Sequence, residues 1–271
     1  MAVFNSSALL TMLFTLLLNI IINVQSESFS FTFPRFDQST RNIAFAGDAT
    51  ISGGAIQLTK MDNLSNPLQH SVGLAAFFSE VRLYDRNNSG RFHFSTDFTF
   101  VVRRQVSSVL HGDGMTFFLG STDFEFPRRN STGGFLGLFT PQTAFSPPGT
   151  NKIVAVEFDS YANEWDPHPV SQSPHIGINL GSIRSKDTVS WPSDEEPIGQ
   201  IARAMISYDS ESLELRASVS YPAGNTAATI LTSEIDLTEV LPEKVVVGFS
   251  AATGDLVETH QVLSWDYSST T

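Results

Sequence analysis

Apolar residues along this chain recur at a step of two, not at the 3.6-residue step of a helix. Phe29, Phe31 and Phe33 alternate with Ser30 and Thr32. Short aromatic and aliphatic runs follow at 98–102 (FTFVV), 115–119 (MTFFL) and 135–139 (FLGLF), and each is predicted as a strand. Further strands are predicted at 202–208, 213–221, 244–250 and 262–267. Turn-forming clusters separate them, including Asn87-Asn88-Ser89-Gly90, Ser146-Pro147-Pro148-Gly149 and Pro222-Ala223-Gly224-Asn225. No helical period runs beyond about two turns, and 236–241 suits one short helical turn. Many short strands at this spacing predict an all-β, antiparallel two-sheet sandwich. Its interior would be filled by the 22 phenylalanines, with Trp191 and Trp265 as core residues. No linker, low-complexity tract or internal repeat breaks residues 27–271, which read as one domain.

Charge narrows the function. Asp and Glu number 28 against 16 Lys and Arg, for a net charge of −12. Nucleic acid and anionic membrane surfaces both demand a basic face, so neither is an expected partner. Residues 1–26 contain no charged side chain, and 8–22 (ALLTMLFTLLLNIII) form an apolar run. Small residues around Ser26 then predict a secretory signal peptide, cut after that residue. No later segment is apolar enough to span a membrane. The secretory route implies an extracellular or vacuolar destination, and the Asn-x-Ser/Thr triplets at Asn63, Asn87 and Asn130 suit glycosylation there. There are no cysteines, so core packing and any bound metal must hold the fold without disulfides.

The chemistry concentrates between Val154 and Asn179 (VAVEFDSYANEWDPHPVSQSPHIGIN). Val154, Val156 and Phe158 alternate with Ala155, Glu157 and Asp159, which puts two carboxylates on one strand face, roughly 6–7 Å apart. Tyr161 and Asn163 continue the same step, Asp166 follows in a Trp-Asp-Pro turn, and His175 opens the next strand. Like charges this close repel, so either water separates them or divalent cations neutralise them. Three carboxylates and an imidazole suit a transition ion such as Mn2+. Shared carboxylates with amide and backbone carbonyls suit Ca2+.

The ordered pattern E-x-D-x-Y-x-N, W-D-P and H-I-G-I-N resembles the metal-binding signature of the legume lectins. The likeness extends from the FSFTFPRF opening to the closing VLSWDY. It implies a jelly-roll sandwich with a flat back sheet, a curved front sheet and a sugar site on the front-sheet loops. It further implies that Glu157 and His175 bind Mn2+, that Asp159 and Asp166 bridge both ions, and that the Tyr161 carbonyl and the Asn163 side chain complete Ca2+. Ser185 would bond a metal-bound water. In the same likeness Asp113, in the D-G-x-x-F-F run, accepts hydrogen bonds from two sugar hydroxyls and follows a cis peptide bond. Gly134 offers a backbone N–H, Asn163 an amide N–H and Tyr161 its ring. The backbone N–H groups of Asp255 and Leu256, in the fourth loop, serve a further hydroxyl. That loop is short, as in mannose and glucose binders, whereas the Asn163–Asp166 spacing is that of galactose binders; the balance leans slightly to mannose or glucose. Glycans are the expected partners, and the family pairs subunits through the back sheet into homodimers or homotetramers.

Two other classes compete with a lectin. A β-sandwich glycoside hydrolase would use paired carboxylates such as Glu157 and Asp159, but the next place on that face holds Tyr161 and His175 would have no role. A lectin-like defence or storage protein, of the amylase-inhibitor or arcelin type, would lack sugar binding, though such relatives tend to lose metal-loop residues that this chain keeps.

Overall fold

A computed structural model describes residues 27–86, 91–105, 108, 110–124, 130–147, 149–167, 174–192, 198–224 and 227–271. The expected leader 1–26 and Asn87 lie outside the described residues. The described residues form sixteen strands. They are β1 (Ser28–Phe33), β2 (Ile43–Gly47), β3 (Thr50–Ser52), β4 (Ala55–Gln57), β5 (Val72–Phe77), β6 (Val81–Arg82), β7 (His93–Arg104) and β8 (Gly114–Ser121). After a loop layer come β9 (Ile153–Asp159), β10 (His175–Leu180), β11 (Asp187–Ser190), β12 (Ala202–Asp209), β13 (Glu214–Ser220), β14 (Thr229–Glu234), β15 (Lys244–Ala252) and β16 (Glu258–Thr270). A helical turn, Leu237–Val240, is capped by Asp236, whose side chain accepts from the Thr238 N–H at 2.9 Å.

Two antiparallel eight-stranded sheets result. The first runs β14-β13-β12-β7-β16-β4-β3, with β1 also on β16. The second runs β11-β10-β9-β8-β15-β5-β2, with β6 also on β15. The opening and closing strands pair along their length, and Glu27 and Thr271 exchange both backbone hydrogen bonds, at 3.1 and 3.0 Å. Phe98, Phe100, Phe117, Phe158, Phe249, Trp191 and Trp265 fill the space between the sheets. Phe98 and Phe249 meet edge to face with centroids 4.8 Å apart, as does Phe249 with Trp265.

The first sheet buries alternate residues and leaves the others to solvent, as β12 does throughout. The central strands of the second sheet, such as β8 and β9, are buried on both faces. Val154, Val156 and Phe158 enter the main core, while Leu74, Phe118 and Ala155 point the other way into a second cluster with Leu136, Leu138, Phe139 and Ile183. This second cluster corrects the reading of 135–139. The FLGLF run is not a strand: a 3-10 turn at Gly133–Phe135 leads into irregular backbone, with positive φ at Leu136 (52°) and Gly137 (75°). Its apolar side chains roof the outer face of β8 and β9 instead of joining a ladder. With that roof in place, the carboxylates at the end of β9 are buried rather than wet.

Candidate functional site

The ends of three neighbouring strands converge. In the antiparallel register Asp159 faces His175 on β10 and Gly114 on β8, and Glu157 faces Gly177 and Thr116. Glu157, Asp159, Asp166 and His175 are all buried. One ligand atom each from Asp159, Asp166 and His175 lies within 4.8 Å of the others. Glu157 completes the cluster from the side, its Oε1 lying 3.3 Å from His175 Nε2 and accepting a hydrogen bond from the Ser185 hydroxyl. The strand that carries Gly177 can approach only because that residue has no side chain, since a Cβ there would overlap Glu157 Oε1 and Ser185 Oγ.

The chain leaving β9 is folded by these same carboxylates. Asp159 accepts from the Tyr161 N–H at 2.7 Å, and Asp166 from the Asn163 N–H at 2.5 Å. Trp165 stacks on Phe135 (centroids 5.4 Å, 11° between planes) and thereby ties the loop to the roof layer. Asp113 reaches the cluster from the start of β8. Its N–H donates to the Ala252 carbonyl at 3.2 Å, its carbonyl accepts from Ser160 N–H at 2.8 Å, and the Gly112–Asp113 peptide is cis.

Four loops meet at Asp113. A Cβ on Gly254 would lie 3.0 Å from Asp113 Oδ2 and 3.2 Å from Gly133 Cα. A Cβ on Gly134 would overlap the amide of Asn163, and one on Gly112 would lie 3.0 Å from Tyr161 Cβ and 3.8 Å from Leu256 Cβ. Asp113, Gly134, Tyr161, Asn163 and Leu256 therefore share one patch. Asp255 differs. Its side chain is 93% exposed, with Oδ1 3.4 Å from His70 Nε2, while its carbonyl accepts from Gln69 Nε2 at 2.7 Å. Asn63 and Asn130 are exposed.

Sequence reasoning missed the staple behind the fourth loop. Thr253 Oγ1 donates to the Leu68 carbonyl at 2.7 Å and accepts from the Ser71 N–H at 3.0 Å, while the Thr253 carbonyl takes the Gly133 N–H at 3.2 Å. Leu68 and Ser71 lie 185 and 182 residues from Thr253 in sequence, so no local period signals them.

Electrostatics single out the same place. Burial, and then Glu157 and Asp166, push the Asp159 carboxyl well above the usual carboxylate range. Burial likewise carries Asp166 to about 6, against the pull of the Asn163 N–H. Asp113 rises to about 7, through burial and then the charge of Glu258, with the Gly254 N–H acting the other way. Burial would lower His175, but Glu157 and Asp166 outweigh it and the imidazole is raised. Such a set is tuned to hold protons or cations, not to stand as bare charges. Two buried acceptors reinforce the point. Asp113 Oδ2 and Asn163 Oδ1 make no hydrogen bond, and buried oxygens left open in this way suit a hydroxyl donor or a cation. The donor set thus fits both a carboxylate–imidazole ion and an oxygen-ligated ion. Concavity alone would have misled, because a cleft of about 570 Å³ lined by Tyr84, Arg91, Phe92, Tyr208 and Glu211 shares no residue with this patch.

A pH prediction follows for protein stripped of metal. A carboxyl raised on folding costs nothing below its unfolded value of 3.8, destabilises progressively as pH climbs from there to its folded value, and adds a constant cost above both. Metal-free protein should therefore lose melting temperature from about pH 4 to 7, where the folded Asp166 and Asp113 still hold protons that the unfolded chain has released, and level off above. Saturating Ca2+ and Mn2+ should flatten that decline. Scanning calorimetry across this range, with and without chelator, checks it; a metal-free melting temperature that rises over the same interval contradicts it.

Comparison with known proteins gives consistent matches. Residues 28–271 match the family model described as Legume lectin domain. Lectin 8 of Medicago truncatula is 49% identical over 251 residues, which is 92% of this chain and 90% of that protein. The lectin from Bauhinia forficata, solved in complex with GalNAc, superposes with a TM-score of 0.78 at 37% identity, covering 90% of this chain and 98% of the other. Arcelin-5, a lectin-like defense protein from Phaseolus vulgaris, gives 0.75 at 28% identity, covering 89% and 98%.

Proposed function

Because the chain belongs to the legume lectin family, whose members bind carbohydrate without catalysis, we propose that it is a Ca2+- and Mn2+-dependent lectin recognising one monosaccharide unit of a glycan. The observation that carries this reading is the pair of buried, unpartnered oxygens, Asp113 Oδ2 and Asn163 Oδ1, where four loops meet.

Glu157 and His175 would hold Mn2+, Asp159 and Asp166 would bridge both ions, and the Tyr161 carbonyl and Asn163 side chain would complete Ca2+. Bound, the cations neutralise the buried carboxylates and fix the loop between β9 and β10. The chain's own residues do the recognition. Asp113 accepts sugar hydroxyls, Gly134 and Asn163 donate N–H groups, the Asp255 and Leu256 backbone serves a further hydroxyl, and the Tyr161 ring covers the apolar sugar face. Tyr161 is 37% exposed, which leaves that ring open to a ligand.

Two features pull the specificity apart. The Asn163–Asp166 spacing and the GalNAc complex of the Bauhinia forficata relative favour galactose or GalNAc. The short fourth loop, here held down by Gln69 and Thr253, favours mannose or glucose. We take galactose or GalNAc as the first reading, on the Asn163–Asp166 spacing together with the ligand of that relative. A single shallow site should bind at millimolar Kd, about −4 kcal/mol. Several sites per homo-oligomer, paired through the solvated face of the first sheet, would raise avidity. The segment 1–26 and the exposed Asn63 and Asn130 suit a glycoprotein of the secretory route, extracellular or vacuolar.

A glycan array probed with metal-loaded protein, with and without EDTA, tests the reading. Binding to one monosaccharide family, abolished by EDTA and restored by Ca2+ and Mn2+, is the expected result. The likeness to arcelin-5 favours a second reading, a defence protein without sugar binding; a blank array from fully metal-loaded protein would select it.

A further inference from the structure

Beneath the sugar patch lies a polar cluster that neither the cations nor the sugar would touch. Glu258 opens β16 and is fully buried. Both its oxygens are occupied: His111 Nδ1 lies 2.6 Å from Oε2 and His260 Nε2 lies 2.9 Å from Oε1. His260 Nδ1 is in turn 3.0 Å from the Oγ1 of buried Thr59. A carboxylate this deep persists only when paired on every side. Burial pushes its carboxyl up, but the two imidazoles outweigh burial and hold it down to about 2.

The position of Glu258 in the chain gives the cluster its meaning. Glu258 stands two residues after Leu256, at the root of the fourth loop, and His111 stands two residues before Asp113, at the end of the first. The Asp113 backbone is pinned on its far side by Ala252 and Ser160. On the near side Gly112 has no side chain to anchor it, and a Cβ there would crowd Tyr161 Cβ at 3.0 Å. The imidazole of His111 is the anchor there, and its partner is Glu258.

We propose that Glu258 is a positioning residue for sugar recognition, which acts through His111 to lock the loop ending in Asp113 against the loop carrying Asp255 and Leu256. This rests on the sugar-binding reading above. Both imidazoles donate to the carboxylate, so each must carry hydrogen on the nitrogen that faces it. Glu258→Gln keeps the shape but not this pairing: an amide accepts at one end and donates at the other, so one imidazole is left mispaired.

The test uses full-length, metal-loaded protein titrated calorimetrically with galactose, GalNAc and mannose, well below its melting temperature. Glu258→Gln should weaken the sugar that binds by roughly tenfold or more, with metal content unchanged. Val219→Ala, in the core of the first sheet and away from the loops, serves as an equally folded but less stable control and should bind like the wild type. His111→Gln should weaken binding to a similar degree, and the double variant should be no weaker than His111→Gln alone within about twofold. Nitrogen-15 spectra of the histidine rings supply the readout that a merely structural role would not move. The His111 signals should shift when sugar binds the wild type, and not in Glu258→Gln. Should Glu258→Gln fail to fold, the sugar affinity of His111→Gln and the His111 ring signals of the wild type carry the same expectations. Wild-type affinity in a folded Glu258→Gln or His111→Gln, losses that multiply in the double variant, or a loss matched by Val219→Ala would overturn the positioning role alone. A wild type that binds no glycan would overturn the sugar-binding reading along with it.

Discussion

Asp159→Ala should have opposite effects on the two forms of this protein. In the loaded form it should remove both cations and all detectable sugar binding, because Asp159, like Asp166, is a buried carboxylate assigned to both ions. A ligand present at a hundredfold excess over its Kd stabilises by about 2.7 kcal/mol. For a chain of this size, each kcal/mol is worth roughly 2–4 °C of melting temperature. Loaded wild type should thus melt several degrees above the loaded variant. In chelator the order should reverse. The carboxyl of Asp159 is raised by burial and by its acidic neighbours, so an uncompensated charge there burdens the metal-free fold, and alanine relieves it. Melting curves of the two proteins with and without EDTA decide the matter. If Asp159→Ala is the less stable protein in both conditions, the side chain is ordinary structural packing and the cation assignment fails.

Asp113→Ala should separate sugar from metal. The side chain is assigned to no cation, and the backbone of residue 113 is held by Ala252 and Ser160 whatever the side chain. Cation content measured by elemental analysis should therefore match the wild type. Sugar affinity should not survive. Two hydrogen bonds to a charged acceptor are worth about 3 kcal/mol together, which is on the order of a hundredfold. On a millimolar site that loss leaves nothing to titrate. Alanine also removes a carboxyl that burial and Glu258 raise to about 7, so the variant should be no less stable than the wild type at neutral pH. Retained sugar binding would move the acceptor elsewhere in the patch.

How much of this could be read before the fold was known depends on sequence distance. The acid and imidazole cluster was legible because Glu157, Asp159, Asp166 and His175 lie within one strand, one loop and the next strand, where a two-residue step fixes which side chains share a face. The long aromatic strands β7, β8 and β15 were legible for the same reason. The strands at 43–47 and 72–77 were not, since IAFAG and VGLAAF are built of small residues with little β preference. The run at 135–139 misled because five apolar residues describe a strand or a roof equally well, and only the positive φ at Leu136 separates them. His111 and Glu258 were invisible as a pair: they are 147 residues apart, and each alone looks like an ordinary polar residue near a loop.

The pairing of the first strand with the last carries a topological consequence. Because residues 27 and 271 meet as neighbours in one ladder, the backbone approximates a closed ring, and the point at which it is cut is arbitrary with respect to packing. A reordered gene that joins these two positions through a short bridge and opens the ring at an exposed turn should encode the same sandwich. Labels attached at residue 27 and at residue 271 would hang from a single corner of the molecule.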